Sequence, residues 1–460
     1  MAVSGKSLAP FPPASISESS FGWAIGPPSL KCWSAFHFIR LRIGSKGYYC
    51  RTLAISGRRP GPADGTIGQM VTMEVKKGRE GPVLGFHPWV FSRAFKEIPE
   101  GLAAGEPVRL VDHEGGFLAS GYFNSYSQIA VRIWGYTDGE HLDSAFFKHR
   151  VERAAALRAR YVASGDTDAY RVVNGEGDML PGLIVDKYSS WLVVQFHTAG
   201  IERWKNEICL ALEETFRPDG IEERSDSARR GRGEGGAGTL HGDVPERVEI
   251  KENGLRFLVD IREGQKTGFF LDQRDKRLAL RRYCGGQRVL NCFSYTGGFT
   301  VSALAAGAEH VVSVDSSASA MALVRENVAL NGFGEDMCGF IEGDVKDYLK
   351  RYKAEPFGVV VLDPPAFIKD RRKKKEGIRG YRALNEAALH VLAPGGILMS
   401  CSCSAHLSME EFRYVLSEAG GGAGRRLQVL ESFGHGIDHP VGVSFTEGEY
   451  LKCVVMRDAS

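Results

Sequence analysis

RVLNCFSYTGGF (288–299) is an apolar run that breaks into a glycine-bearing turn. Two further runs, VVSVD (311–315) and VVVLDPPAF (359–367), each carry an acid where the apolar residues end. A strand, a glycine turn, a helix and then a strand ending in an acid form the nucleoside-binding corner of a doubly wound sheet. Outward from this corner, β and α patterns alternate. After RVLNCF come helix 298–306, VVSVD, helix 317–330, FIEGD (340–344) and helix 345–353. VVVLD, helix 380–392, GILMSCS (396–402) and helix 408–419 follow, with LQVLESF (427–433) and EYLKCVVM (449–456) as last strands. Such alternation predicts a mostly parallel sheet covered by helices.

Upstream the pattern changes. VTMEV, VRLVD, FLASGYF and IAVRIW, between 71 and 134, are short β segments separated by glycine-containing turns, which suggests a small barrel of about eighty residues. FFKHRVERAAALRARYV (146–162) has helical spacing, and its arginines read as a solvated face or, alternatively, an RNA contact. YRVVNGEGDMLPGLIVDKYSSWLVVQFHTAG (170–200) reads as a β-hairpin around Pro181-Gly182. A helix over 201–216 and IEERSD (221–226) complete a second small α/β unit. The Gly- and Arg-rich stretch 229–242 reads as a surface loop. VEIKENGLRFLVDI (248–261) then forms a β arm leading into the helix of GFFLDQRDKRLALRRY (268–283).

Composition narrows the class. With 43% hydrophobic and 25% charged residues, 460 residues suit a globular protein of several domains. No apolar run approaches the roughly 18 residues of a membrane span. A net charge of +2 selects no partner, whereas the runs RRGR (229–232) and RRKKK (371–375) are locally basic. The nine cysteines include no CxxC pair, so they read as free thiols in a reducing compartment, with no metal site expected. The first seventy residues hold eight Lys/Arg but only Glu18 and Asp64 as acids. They fit a transit peptide, a disordered extension, or upstream sequence translated from a misplaced start, since Met70 and Met73 precede the first ordered-looking element.

Several groups on the strand ends carry chemistry. Gly297 and Gly298 are expected to let backbone approach a ligand, or else to serve a packing turn. Asp315 can accept from both ribose hydroxyls. Asp344 can accept from an adenine amine or can simply cap a helix. In DPPAF, consecutive prolines stiffen the chain and hold Asp363 and Phe367 at the rim. There a carboxylate can meet a nucleobase edge and an aromatic ring can stack on it; a strand-terminating turn is the plainer reading. SCSCS (400–404) places two thiols at a strand end. Alternation puts Cys401 and Cys403 on one face with Cys403 nearer the mouth, so Cys403 is the candidate nucleophile and Cys292 a core residue. Lys266, Thr267, Asp272, Gln273 and Arg274 crowd the turn before the sheet, as a lid, a phosphate clamp, or an ordinary helix start.

Taken in order, KGRE, HPWVFS, YRVVNGEGDMLPGLIVD, KTGFFLDQRD, LNCFSYTGGF, VVSVD, DPPAF, SCSCS and DHPV (438–441) resemble the bacterial large-subunit ribosomal RNA cytosine-C5 methyltransferases. These are S-adenosylmethionine enzymes with a PUA domain and a Rossmann-like domain. The resemblance implies a PUA-like RNA-binding β-barrel at 72–150, a small central α/β domain with its β arm at 165–262, and a class I methyltransferase at 263–460. Residues 1–71 would be the extension. It implies Cys403 and Asp363 as catalytic residues. Phe293, Ser294, Thr296, Gly297, Gly298, Asp315, Asp344 and Asp363 would line the cofactor site. Lys266, Arg274, Phe367, Arg371 and Arg372 would face RNA. The expected partner is large-subunit ribosomal RNA, with no membrane and with a homodimer left open. The expected location is the cytoplasm, or an organelle if 1–70 is a transit peptide. Two departures stand out: Ala366 replaces the family's usual lysine in DPPKF, and no Pro-Cys supplies a second thiol. Methylation of a guanine nitrogen, or a non-catalytic RNA-binding assembly factor, are the alternatives to weigh.

Overall fold

A computed structural model describes residues 70–225 and 237–460, so the readings made for residues 1–69 and for the basic run 229–232 lie outside it. The first sheet contains β1 (Val71–Glu74), β2 (Trp89–Phe91), β3 (Pro107–Val111), β4 (Phe117–Phe123) and β5 (Ile129–Gly135), ordered β1-β3-β4-β5-β2, with a helical turn α1 (Gly81–Leu84). Helix α2 (Ser144–Tyr161) leads into β6 (Ala169–Asn174), β7 (Leu183–Tyr188) and β8 (Trp191–Phe196). The helix expected over 201–216 is broken into α3 (Ala199–Glu202) and α4 (Lys205–Phe216), followed by β9 (Gly220–Arg224). Part of the expected loop 229–242 is instead a strand, β10 (Ala237–Gly242), paired antiparallel with β9. Its alternation is hidden by glycines and polar residues because it is an exposed edge.

The β arm is the hairpin β11 (Arg247–Glu252) and β12 (Leu255–Asp260). After it come α5 (Arg274–Cys284), β13 (Arg288–Cys292), α6 (Gly298–Ala305), β14 (His310–Asp315), α7 (Ala318–Leu330), β15 (Cys338–Glu342) and α8 (Val345–Arg351). The chain finishes with β16 (Phe357–Leu362), α9 (Lys374–Val391), β17 (Leu392–Ser402), α10 (Met409–Gly422), β18 (Leu427–Phe433) and β19 (Lys452–Asp458). Seven strands form one sheet in the order β15-β14-β13-β16-β17-β19-β18, in which β19 alone runs against the others. Apolar strands without alternation are those covered on both faces, and Val359, Val360, Val361 and Leu362 are all fully buried. One face packs Val289, Val361, Met399 and Cys401 against α5, α6, α7 and the hairpin. The other packs Leu290, Leu362, Leu398 and Val454 against α8, α9 and α10.

Helix α9 starts six residues before the expected 380. Its first turns hold a run of like charges and two glycines, which disfavour a helix. Both glycines have a packing reason. A Cβ at Gly377 would come within 2.3 Å of Ile368 Cγ1, and one at Gly380 within 3.1 Å of the Phe367 ring. The helix is thereby pressed onto the DPPAF turn.

The expectation that α2 turns its arginines to solvent fails at two positions. Arg150 and Arg158 are buried. Arg158 clamps Asp178 at 2.6 and 2.8 Å and donates to the Asp438 carbonyl at 2.7 Å. Asp438 joins the parts of the chain: its carboxylate accepts two bonds from Arg274 at 2.8 Å and one from the Arg171 backbone at 3.1 Å. The approach there is so close that a Cβ on Gly177 would lie 1.9 Å from the Pro440 carbonyl. The first sheet rests on the same segment, with the Trp89 ring edge-on to Phe445 at 4.6 Å. Arg274 was expected to contact RNA; at 5% exposure and committed to Asp438, it is a structural ion-pair residue instead. Removing one partner of a buried pair strands the other charge. Arg274→Met is therefore expected to destabilise the protein by about 3–5 kcal/mol, read as a lower urea midpoint.

Candidate active site

The turn after β13 is built from unusual backbone. Phe293, Tyr295 and Gly297 have φ of 61°, 46° and 84°, a region that bulky residues rarely occupy and that concentrates at functional sites. Asp315 at the end of β14 holds the turn, accepting from Tyr295 N at 2.9 Å and from Ser317 N at 3.0 Å, one bond per oxygen. Each oxygen keeps a lone pair for a further donor. Ser294 and Thr296 are buried, and Phe293 is half-buried.

Of the two readings given for the glycines, the packing turn has direct contacts behind it. A Cβ at Gly297 would meet Val324 Cγ1 at 2.9 Å, and one at Gly298 would meet Arg277 Cδ at 2.8 Å. They allow the left-handed turn and close protein packing, rather than only room for a ligand. Arg277 is itself fixed by a buried pair with Glu252 at 2.6 Å.

Asp344 caps α8, accepting from Asp347 N at 3.0 Å, and is exposed at the β15 end of the sheet. Its cap uses one oxygen. Asp363 follows β16. Val359 and Val361 face the α5 side, so alternation carries Asp363 to that side too. There Gln273 Nε2 donates to its Oδ1 at 2.8 Å. Burial, reinforced by the Asp272 carboxylate, pushes the Asp363 carboxyl up to about 6.

Met399 and Cys401 continue along β17 on the same face. Cys401 is fully buried opposite Cys453 in the sheet, a core position. Cys403 stands just past the strand end, half-buried, its Sγ 3.9 Å from the Pro364 carbonyl of DPPAF. The thiol is pushed up to about 11 by burial and then by the Asp363 carboxylate. Asp363 and Cys403 thus sit on one face at adjacent strand ends and influence each other's charge.

Around them lies a polar cluster in which Asp272 is buried and Lys266 is exposed. Lys266 Nζ pairs with Asp272 at 2.8 Å, and Tyr450 donates to the same carboxylate at 2.6 Å. Burial opposes the Asp272 charge, but Lys266 and His439 outweigh it and hold its carboxyl low. Lys266, expected at RNA, is exposed and pairs with Asp272 here. Asp272 Oδ1, Gln273 Oε1 and Thr296 Oγ1 are buried without partners. Orphaned polar atoms of this kind call for a polar ligand.

Phe367 stacks at 35° on Tyr381, with ring centres 4.6 Å apart, and Lys346 Nζ lies 5.2 Å from its ring. The Tyr381 hydroxyl meets Ser404 Oγ at 2.9 Å, and Ser404 Oγ accepts from Ile368 N at 3.1 Å. α9, the DPPAF turn and the end of β17 are tied together in this way. Arg371 and Arg372 are exposed in a turn capped by Asp370. Arg372 pairs with that aspartate at 2.6 Å. Arg371 lines a cavity of about 750 Å³ with Lys374, His406, His435 and Lys452. Sequence reasoning passed over Tyr450, Lys452 and Tyr381. The one available signal was a lysine opening the otherwise apolar strand KCVVM.

Comparison with known proteins adds independent findings. A family model described as S-adenosylmethionine-dependent methyltransferase matches residues 226–429, and a PUA-like domain model matches 73–136. The chain is 42% identical over 387 residues to a ribosomal RNA large subunit methyltransferase I of Klebsiella pneumoniae (strain 342), covering 83% of this chain and 96% of that protein. It is 42% identical over 401 residues to the protein of that name from Salmonella gallinarum, covering 86% and 99%. Among solved structures, a Streptococcus mutans chain titled as a SAM-dependent methyltransferase superposes with a TM-score of 0.74 at 23% identity, covering 84% of this chain and all of that one. A second, titled as a methyltransferase complexed with SAH, gives 0.75 at 24% identity over the same shares. At those identities the structural likeness speaks for the fold.

Proposed function

The chain belongs to the ribosomal RNA large subunit methyltransferase I family, and from this premise we propose that it makes 5-methylcytosine in large-subunit rRNA with Cys403 as nucleophile. It is an S-adenosylmethionine-dependent methyltransferase with a PUA-like domain. The observation that carries the finer reading is the pairing of an acid of raised pKa with a thiol at neighbouring strand ends. Methylation of a guanine nitrogen would have no use for that thiol.

The residues present fit the cofactor. Asp315 offers lone pairs to ribose hydroxyls, Asp344 keeps a free oxygen for an adenine amine, and the orphaned Asp272 and Gln273 oxygens suit an ammonium. S-adenosylmethionine supplies the electrophilic methyl group. Cytosine C5 is a weak nucleophile until a thiolate adds at C6. In our reading the Cys403 proton passes to Asp363, the sulfur electron pair attacks C6, and Asp363 delivers its proton to N3. After methylation at C5 a base takes the C5 proton, the C6–S bond breaks with its electron pair returning to sulfur, and the N3 proton goes back through Asp363 to the thiolate, which restores the aromatic ring. The target base must leave its stack to reach this point. The domain at 72–150, with Arg371 and Phe367 at the rim, is assigned to holding RNA through phosphates and stacking. We place the activity where large ribosomal subunits are assembled, in the cytoplasm, or in an organelle if 1–70 is a transit peptide.

Unmodified large-subunit rRNA incubated with labelled cofactor, digested and mapped by mass spectrometry is expected to yield label on a cytosine C5. Label on a guanine nitrogen would remove the cytosine reading.

A further inference from the structure

Lys452 is a buried cation that the mechanism above leaves unused. It opens β19 directly across from Ser402 of β17 and is 4% exposed. Its Nζ donates to the carbonyls of Ser404 and Tyr450, both at 2.7 Å. Both partners are neutral, and no carboxylate among the described residues forms an ion pair with it. An ammonium has three donors, so one remains. A buried charge without a counter-ion is costly for folding, and such groups concentrate where an opposite charge develops during a reaction.

The other charges around Cys403 cannot fill that role. Asp363 at the β16 end and Asp272 before α5 both oppose a thiolate. Lys266 favours one but is neutralised by Asp272 at 2.8 Å. Tyr381 of α9 has its phenol raised by burial and is neutral. On the side of Lys452 stand Glu411 of α10, which is committed to Lys374 at 2.6 Å, and Glu449. His435 accepts from Tyr450 N and Leu451 N and is lowered to about 4 by burial, so it is neutral as well.

We propose that Lys452 is the positioning cation of this site: it pins the carbonyl directly after Cys403 and stabilises the thiolate as it forms. The inference rests on the reading of Cys403 as nucleophile. The step is heterolysis of the S–H bond, with the electron pair staying on sulfur and the proton leaving to Asp363; no oxidant is involved. Burial lowers Lys452 to about 8, while the Cys403 thiolate is the foremost influence raising it. Opposite charges favour each other, so an ammonium beside the Ser404 carbonyl favours a thiolate one residue away. Its charge is present below about pH 8 and is lost above.

Lys452→Gln keeps amide N–H donors for the two carbonyls and deletes the charge, whereas Lys452→Arg keeps the charge. Alkylation of the protein by iodoacetamide, followed on the Cys403 peptide by mass spectrometry, reports the thiolate directly. In Lys452→Gln that alkylation at pH 7 is expected to slow roughly tenfold and kcat to fall about 100-fold, with cofactor affinity and thermal midpoint retained. The step near pH 8 in its rate profile disappears, and Lys452→Arg recovers most of both rates. Wild-type alkylation and pH profile in Lys452→Gln overturn the proposal. So does equal loss in the Gln and Arg variants without a change in alkylation, which marks a purely structural residue. Failure of the underlying reading looks different: Cys403→Ala would then remain active.

Discussion

Cys403→Ala lowers methyl transfer to rRNA by an expected factor of at least about 10⁴, while cofactor binding stays within about twofold. The asymmetry follows from position. Cys403 stands beyond the strand end, against the DPPAF turn, while the turn at 293–297 and Asp315 lie on β13 and β14. Without a thiolate at C6 the ring has no enamine character at C5, and an aligned methyl donor cannot compensate. Cys403→Ser is expected to fail equally, because a buried hydroxyl is far harder to ionise than a thiol. Cys401→Ala is the contrasting control. It deletes a sulfur from the sheet core opposite Cys453 and should cost stability rather than chemistry. Single-turnover transfer with labelled cofactor, alongside calorimetric cofactor binding, measures both halves. A Cys403→Ala protein that turns over normally removes the nucleophile.

Asp363→Asn is expected to reduce kcat/KM by about 10²–10⁴, since an amide can neither take the thiol proton nor deliver one to N3. The wild-type pH profile carries the sharper signature. With Asp363 near 6 and Cys403 near 11, the resting form is carboxylate plus thiol, and the reactive form is carboxylic acid plus thiolate. Both hold the same number of protons. Their ratio therefore does not change with pH between the two values, and kcat/KM should be level from about 6 to about 8. Above that it steps down as Lys452 loses its charge. Below about 6 it falls as protonation of Asp363 takes away the acceptor. A tenfold rise per pH unit across 6–8 would mean that Asp363 stays ionised in the reactive form, which the proton-relay mechanism cannot accommodate.

The sheet was readable because its strands are covered on both faces: apolar runs such as VVVL have no other home, and their ends bring Asp315, Asp363 and Cys403 to one edge. What stayed hidden depends on pairings distant along the chain. Arg274 in a polar turn looks like a phosphate clamp until Asp438, far downstream, comes to meet it. Lys452 reaches the Ser404 carbonyl only because β19 runs antiparallel beside β17, and a strand's partner is not written in its own residues. For Gly297 and Gly298, local sequence cannot say whether a glycine yields to a ligand or to Val324 and Arg277. Asp344 illustrates a third limit, since the same carboxylate that can face an adenine also caps a helix.

The segment that runs from Asp438 through Phe445 to Lys452 links the first sheet, α2, α5 and the end of β17, bolted by Arg158 and Arg274 at one end and seated under Trp89 midway. The first sheet and the end of β17 are thus set at a fixed spacing, like the jaws of a caliper. A shift of that segment would therefore move the first sheet and the β17 end together rather than one at a time.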